Sequence, residues 1–556
     1  MKHHHFNILN RREFLSTAGK AGMAAALASV CNVPGFLQRA MAEGTIGNGK
    51  KVLFIWLRGA NDALNSVIPI QDTAYATSRP NVRIPTDAGT NYATGGIPCD
   101  YPLAGAASTY GFYPYGVRLG NGFAALHPSL KFLAPVYNAG DLALIHRVGY
   151  PRQSRSHFDS QNYWENGNPN NNLSKDGIFY RTIIESGLAG QGVTGVSIQS
   201  SLPLILRGSA AALTNLTDPE RYDVFGVPST ASPGSNSKST NAITQANSYT
   251  FTAKQNRELL YNQYTSLAAT LQEFGAINFT EAGNTYQDDT KTDGDATWVP
   301  INGQSQSIGD PAKGYFLFPT SDNKNGGWRR PDASASVNKY VVDPSHQSFF
   351  YNLKAAALVL NHTSAIIAGT EIGGFDTHQN QITPGNSVAG AHANLQRVIG
   401  WALYGLRKYF SNHASQASWD NMAVVTLSEF GRTSRENTDF GTDHAEGNVM
   451  WVAGGSVKGY GAGNPSGVFN CGPTGSDTIP WVTGNSGSMF GVSGSYLKRT
   501  TDFRSVLGEV IRKHLGATQS QLNRIIPGYA IPGECLLNAG TSSVDGTAVR
   551  GEVGFL

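Results

Sequence analysis

The clearest signal along the chain is a set of short, uninterrupted apolar runs, each closed by a polar turn. Lys51-Val52-Leu53-Phe54-Ile55-Trp56-Leu57 leads directly into Arg58-Gly59-Ala60-Asn61-Asp62. A run without polar alternation is buried on both faces, which suits a central strand of a parallel sheet, and the turn after it opens a helix. Further strands are predicted at residues 142–148, 364–369, 422–427 and 449–453, and helices at 158–164, 349–360 and 391–409. Strands alternating with helices predict an α/β fold, a doubly wound and mostly parallel sheet with helices on both faces.

Two stretches break this rhythm and are expected to be irregular insertions, at about 90–120 and 218–339. The first is rich in Gly, Tyr and Pro; the second is polar and Gly-rich apart from a helical patch at 252–274. At the N-terminus, Asn10-Arg11-Arg12-Glu13-Phe14-Leu15 precedes a weakly apolar stretch at 21–33 and the small-residue site Ala40-Met41-Ala42. Paired arginines ahead of a modest apolar region resemble a twin-arginine export signal cleaved after Ala42. The expected organisation is therefore a signal at 1–42 and one α/β domain at 43–556. The twin-arginine translocase would be a partner during export, and the mature protein would be periplasmic or secreted.

Charge narrows the function classes. The chain has 42 Lys+Arg against 39 Asp+Glu, a net charge of +3. The first 42 residues hold five bases and one acid, so the mature part carries 42−5=37 basic and 39−1=38 acidic residues. That balance supplies no basic field for nucleic acid. Charged residues make up 15%, against about 25% in an average globular protein, so the surface is polar but largely uncharged. No long apolar run beyond the N-terminus predicts a membrane span in the mature form. Cys99, Cys471 and Cys535 remain after export without CxxC spacing; they allow one disulfide, with the pairing open.

Open α/β sheets collect ligands at the carboxyl ends of their strands, and here those ends are rich in donor groups. Asp62 follows the first strand, and Ser154, Arg155, Ser156 and His157 follow the second. Asp376 and His378 follow the third; Ser428, Glu429 and Arg432 follow the fourth; Asp443 and His444 precede the fifth. Asp376 and His378 share a glycine-led loop, and His444 completes a two-histidine, one-carboxylate set that suits zinc, iron or manganese and leaves positions for water or substrate. Ser156 opens a predicted helix, where backbone N–H groups favour an alkoxide and an anionic substrate, or where the serine simply caps the helix. Arg155 and Arg432 are candidates for holding phosphate or sulfate oxygens, or for structural ion pairs.

The ordered motifs RGANDALN, HPSL, SRSHFDSQNYWENG, GGFDTHQNQ, VVTLSEFGRT and GTDHAEGN resemble the bacterial family known as domain of unknown function fifteen-oh-one, grouped with the alkaline-phosphatase/sulfatase superfamily. The resemblance runs from about Lys51 to Gly528, apart from the insertions. It implies an alkaline-phosphatase-like sheet with a metal centre at the strand ends. Asp376 and His378 resemble the superfamily's Asp…His pair, with one residue between them instead of three. His444 resembles the late histidine of the same metal, Asp62 the first-strand carboxylate and Ser156 the nucleophile. Where the superfamily places an Asp-His pair for a second metal, this chain has Glu429-Phe430; Glu429 can ligate and Phe430 cannot, unless His157 or Asp443 substitutes.

The expectation is an exported metal-dependent hydrolase of a small anionic phosphate or sulfate ester. Its metal residues would be Asp62, Asp376, His378, Glu429 and His444, and its reacting groups Ser156, Arg155 and Arg432. The ion would be divalent, zinc first, with manganese, calcium or magnesium as alternatives. No Cys/Ser-x-Pro-x-Arg motif precedes a formylglycine, which argues against sulfatase chemistry of the formylglycine type. A second expectation is a secreted or surface scaffold that binds partners through its polar insertions without catalysis.

Overall fold

Every side chain of the strand Lys51–Leu57 (β1) is buried, and successive residues enter two different cores. Leu53, Ile55 and Leu57 pack into one; Val52, Phe54 and Trp56 pack into the other. Each fully buried apolar side chain stabilises by roughly 1.5–3 kcal/mol relative to exposure, so this one run commits the chain to a sheet covered on both sides. The computed structural model describes residues 46–86, 115–188, 193–210, 213–218, 344–461, 466–472 and 495–556, with short pieces between 270 and 318 and at 492–493. The proposed export signal lies outside the described residues, as does most of both insertions.

The other strands of the main sheet are Leu142–Gly149 (β2), Gly195–Ile198 (β3), Thr214–Leu216 (β4), Ile367–Ile372 (β5), Met422–Leu427 (β6), Asn448–Ala453 (β7), Val468–Phe469 (β8) and Thr501–Asp502 (β9). Their order is β8-β2-β7-β6-β1-β5-β3-β4, with β9 also beside β2. β7 is antiparallel to both neighbours, β6 and β2; the remaining pairings are parallel. The protein is thus an α/β protein with a mixed, mostly parallel central sheet. Because β7 is reversed, its N-terminal end lies at the same edge as the C-terminal ends of β1, β2, β5 and β6. The polar segments after those four strands and before β7 therefore share one edge.

Six helices matter for that edge and its support: His157–Asn166 (α1), Ile178–Glu185 (α2), Gln347–His362 (α3), Ala391–Asn412 (α4), Phe503–Glu509 (α5) and Gln519–Ile525 (α6). The buried faces of α3 and α4 join one core, while α2, α5 and α6 join the other. The third strand lies at 367–372, three residues beyond the apolar stretch predicted at 364–369. Its end carries polar residues that the fold satisfies locally: Thr370 Oγ1 donates to the Ile198 carbonyl at 2.8 Å, and Glu371 accepts from Arg58 Nε at 2.8 Å. β3 and β4 were not foreseen, being only four and three residues long and interrupted by Ser197 and Asn215. The 218–339 segment is not wholly irregular surface, because its described residues Phe274, Ile277, Phe279, Leu317 and Phe318 are buried in the core that also holds α4. The Trp401 indole donates to the Leu317 carbonyl at 3.1 Å.

Candidate metal centre

Four side chains meet at the sheet edge. Asp376 and His378 come from the loop after β5, His157 from the first residue of α1, and His444 from the connection between β6 and β7. That connection doubles back: Thr433 N–H donates to the Asp443 carbonyl at 2.9 Å and Ala445 N–H to the Gly431 carbonyl at 2.9 Å, which pairs Arg432 with His444 across a single bridge. α1 opens beside it on Ser156, whose side chain accepts from Asp159 N–H at 3.4 Å as an N-cap.

The distances are short. His444 Nε2 lies 3.0 Å from His157 Nε2 and 2.8 Å from His378 Nε2. Asp376 Oδ1 lies 3.0 Å from His444 Nε2 and 3.1 Å from His378 Nε2, and Asp376 Oδ2 is 3.3 Å from His157 Nε2. His157, Asp376 and His444 each offer a donor atom within 4.8 Å of the others.

The opposite nitrogen of each ring is occupied. His157 Nδ1 is 2.8 Å from Glu429 Oε1, His378 Nδ1 is 2.8 Å from Asp443 Oδ1, and His444 Nδ1 is 2.8 Å from the Arg155 carbonyl. A carbonyl or ionised carboxylate only accepts, so each Nδ1 carries the proton and each neutral ring turns an Nε2 lone pair inward. Three lone pairs and a carboxylate within hydrogen-bond distance have no proton to share. The arrangement repels itself unless a proton or a cation sits among the four groups. Imidazoles whose second nitrogen donates to a carboxylate or carbonyl are the usual way proteins orient histidine toward a metal.

The electrostatics follow from the same contacts. The hydrogen bond to Glu429 raises the His157 pKa despite its burial. Burial lowers that of His444, against the pull of Asp376 and the Arg155 carbonyl. Burial would raise the Asp376 carboxyl, but the hydrogen bond and positive charge of the Arg432 guanidinium overcome it and bring the group down to about 2. Glu429 is likewise kept ionised: burial opposes it, and His157, Gln161 and the Gly59 N–H together prevail.

The expected site residues divide into three groups. Asp376, His378 and His444 are brought together, and His157, a strand-end donor that the sequence offers for a second metal only as a substitute, joins them at the first. The recoverable signal was the SRSHFDS motif directly after β2, which places His157 at a strand end and a helix start together. Glu429 stands one layer behind, with Oε1 taken by His157, by Gly59 N–H at 2.9 Å and by Gln161 at 3.0 Å. Asp62 is engaged elsewhere and fully buried. It pairs with Arg79 at 2.7 Å, accepts from Gln381 at 2.6 Å, and caps the short helix Ala63–Ser66 through Leu64 N–H at 3.2 Å.

The two candidate arginines also separate. Arg432 is fully buried and donates to the carbonyls of Ala60, Thr442, Gly59 and Phe375 and to Asp376 Oδ1 at 2.6 Å. It fixes the turn after β1 and orients Asp376, with no face left for a substrate. That turn needs Gly59: its φ is +109°, and a Cβ there would collide with the Asp376 backbone nitrogen. Arg155 is exposed, with its guanidinium 4.6 Å over the Tyr496 ring. Phe430 does not ligate; it packs against His157 at 4.8 Å and His444 at 4.7 Å between ring centroids and closes the inner side of the cluster.

Fold and site together define the class: a mixed, mostly parallel α/β protein with three imidazoles and a carboxylate converging at the carboxyl edge of its sheet. Residues 336–465 match the family described as Protein of unknown function (DUF1501). That stretch contains α3, β5, β6, β7, Asp376, His378, Glu429, Arg432 and His444, while His157 lies outside it. No curated protein and no solved structure matches the chain. Among the described residues no helix is long and apolar enough to cross a membrane.

Proposed function

We propose that the protein is an exported hydrolase of phosphate or sulfate esters, dependent on a divalent ion held by His157, Asp376, His378 and His444. The observation that carries this is the convergence of three Nε2 lone pairs and the Asp376 carboxylate, each ring being fixed by an acceptor behind it. A nitrogen-rich donor set suits zinc or manganese; calcium and magnesium prefer oxygen. Such an ion supplies Lewis acidity for an ester oxygen and a lowered pKa for water. The reversed strand β7 and the strand-end placement of the site support an alkaline-phosphatase-like architecture, reduced to one ion because Glu429 and Phe430 support the first site rather than build a second.

The chain's own residues have definable tasks. Arg432 holds Asp376 in place, and Glu429 and Asp443 keep the His157 and His378 protons on Nδ1. Arg155, which has no carboxylate partner among the described residues, can meet an anionic group. Ser156, at the start of α1 and next to His157, is the candidate nucleophile, at the helix N-terminus that favours its alkoxide. The test is to purify the mature chain, measure bound metal by elemental analysis, and assay 4-nitrophenyl phosphate and 4-nitrophenyl sulfate. About one equivalent of metal and hydrolysis that falls with His378→Ala or His444→Ala are expected. A metal-free protein, indifferent to both substitutions, removes the reading.

A further inference from the structure

The mouth of the cluster is bordered by an apolar feature that the donor set does not use. Phe158 follows His157 directly and is 89% exposed, and Leu173 is 83% exposed. Two hydrogen bonds tie the Leu173 loop to α1: Asn162 Nδ2 donates to Asn172 Oδ1 at 2.6 Å and Asn172 Nδ2 to Asp159 Oδ1 at 3.0 Å. The two apolar residues are thus held on one flank of the helix.

Orientation links this flank to the site. His157, Gln161 and Glu165 are spaced at i, i+4 and i+8 and face inward: His157 and Gln161 reach Glu429, and Glu165 pairs with Arg58 at 2.9 Å. Phe158 stands about 100° around the helix from His157. Helical Cα–Cβ bonds tilt toward the N-terminus, and the N-terminus of α1 is where the cluster lies, so Phe158 leans toward the cluster end of the helix. On the same rim Arg155 has no carboxylate partner among the described residues and rests on Tyr496. Three other arginines near the sheet edge are already neutralised, Arg58 by Glu165 and Glu371, Arg79 by Asp62, and Arg432 by Asp376.

We infer that the substrate is an anionic ester whose alcohol part carries an aromatic ring or alkyl chain, with Phe158 and Leu173 covering that apolar part while Arg155 meets the anion. This rests on the proposed function and names its substrate class. Two side chains are far too few for a protein interface, which buries about 800 Å² per partner, but they match the face of one ring or short chain.

Metal-loaded full-length mature protein is titrated calorimetrically with phenylphosphonate and methylphosphonate, and phenyl and methyl phosphate are compared as substrates. Burying a ring should make phenylphosphonate bind roughly ten- to a hundredfold more tightly, and kcat/KM should show the same preference. Phe158→Ser should remove most of that preference with metal content unchanged; Leu173→Ser should remove a smaller part. Arg155→Gln should weaken both phosphonates alike. If the metal is bound but phenyl and methyl ligands bind equally, or the preference survives in Phe158→Ser, this inference falls and the hydrolase reading stands. A protein that takes up no metal and binds neither phosphonate overturns both.

Discussion

Two groups of histidines lie near the end of β1 and have opposite characters. His157, His378 and His444 sit half-exposed at the sheet edge, each proton drawn to an acceptor on the far side and each remaining nitrogen turned toward a shared carboxylate. His127 and His392 are fully buried in the adjoining core, with ring centroids 5.6 Å apart in an edge-to-face contact. His127 Nδ1 accepts from Ser129 N–H at 3.0 Å, and among the described residues no carboxylate bonds to either ring. Burial holds His127 well below its usual range, aided by His392 and Arg397. It likewise brings His392 down to about 4 against the pull of Asp62. The buried pair stays neutral by desolvation and serves packing. The edge cluster cannot settle its lone pairs that way, because its carboxylate is ionised. Histidine count is therefore a poor guide to function; what faces the second nitrogen is a better one.

The comparison breaks first at the clamp that orients the cluster. Arg432→Met leaves four backbone carbonyls and Asp376 without their donor, and removing one partner of a buried charged network costs about 3–5 kcal/mol. Chemical denaturation should show a loss of that size, accompanied by weaker metal uptake. Should stability hold, Arg432 is not a buried clamp.

Next in size is the acceptor behind a ligand ring. Glu429→Gln keeps an oxygen for His157 but removes the charge, and changes of this kind typically weaken metal affinity by 10–100-fold. Competition with a chromophoric chelator measures it. The matching change in the buried pair, His392→Gln, should leave metal affinity unaltered, and an equal loss at both sites would erase the distinction.

The buried pair has its own signature in pH. Because the His392 folded value, about 4, lies below the ordinary value near 6.5, the unfolded chain takes up protons in that interval that the folded chain refuses. Stability is fully present above about pH 6.5 and declines as pH falls toward 4. His392→Gln should remove up to about 1.4 kcal/mol per pH unit from that slope. Denaturation from pH 4 to 7, run in a His444→Ala background so that metal plays no part, reads it; an unchanged slope would mean that His392 is not held neutral.

The smallest expected effect is at the cap. Ser156→Ala should cost α1 about 1 kcal/mol, visible as a few degrees in thermal melting. If Ser156 is also the nucleophile, hydrolysis should fall much further than this stability loss explains. A small and parallel fall in both would leave the serine as a cap alone.

The β1 run shows what local sequence dictates. Seven residues without polar alternation can only be buried on both faces, and the structure divides them between two cores. The runs that become β2, β6 and β7 follow the same logic, as do helices α1, α3 and α4, because backbone periodicity and the hydrophobic effect act over neighbouring residues. The glycine-led polar turns were legible for the same reason. Donor types at strand ends were readable too, which is how Asp376, His378 and His444 could be named together.

Partnership was not readable. Nothing local separates Asp62 from Asp376, since both follow central strands. Only the folded chain delivers Arg79 and Gln381 to the first and three imidazoles to the second. Arg155 and Arg432 look alike in the sequence, yet one is left in solvent and the other is enclosed by backbone carbonyls that come from three separate turns. Sequence sets which groups a segment can offer, through side-chain chemistry and short-range periodicity. Which offers are taken depends on approaches across as many as several hundred residues, and these are decided by strand order, the reversal of β7 and the need to pair every buried charge.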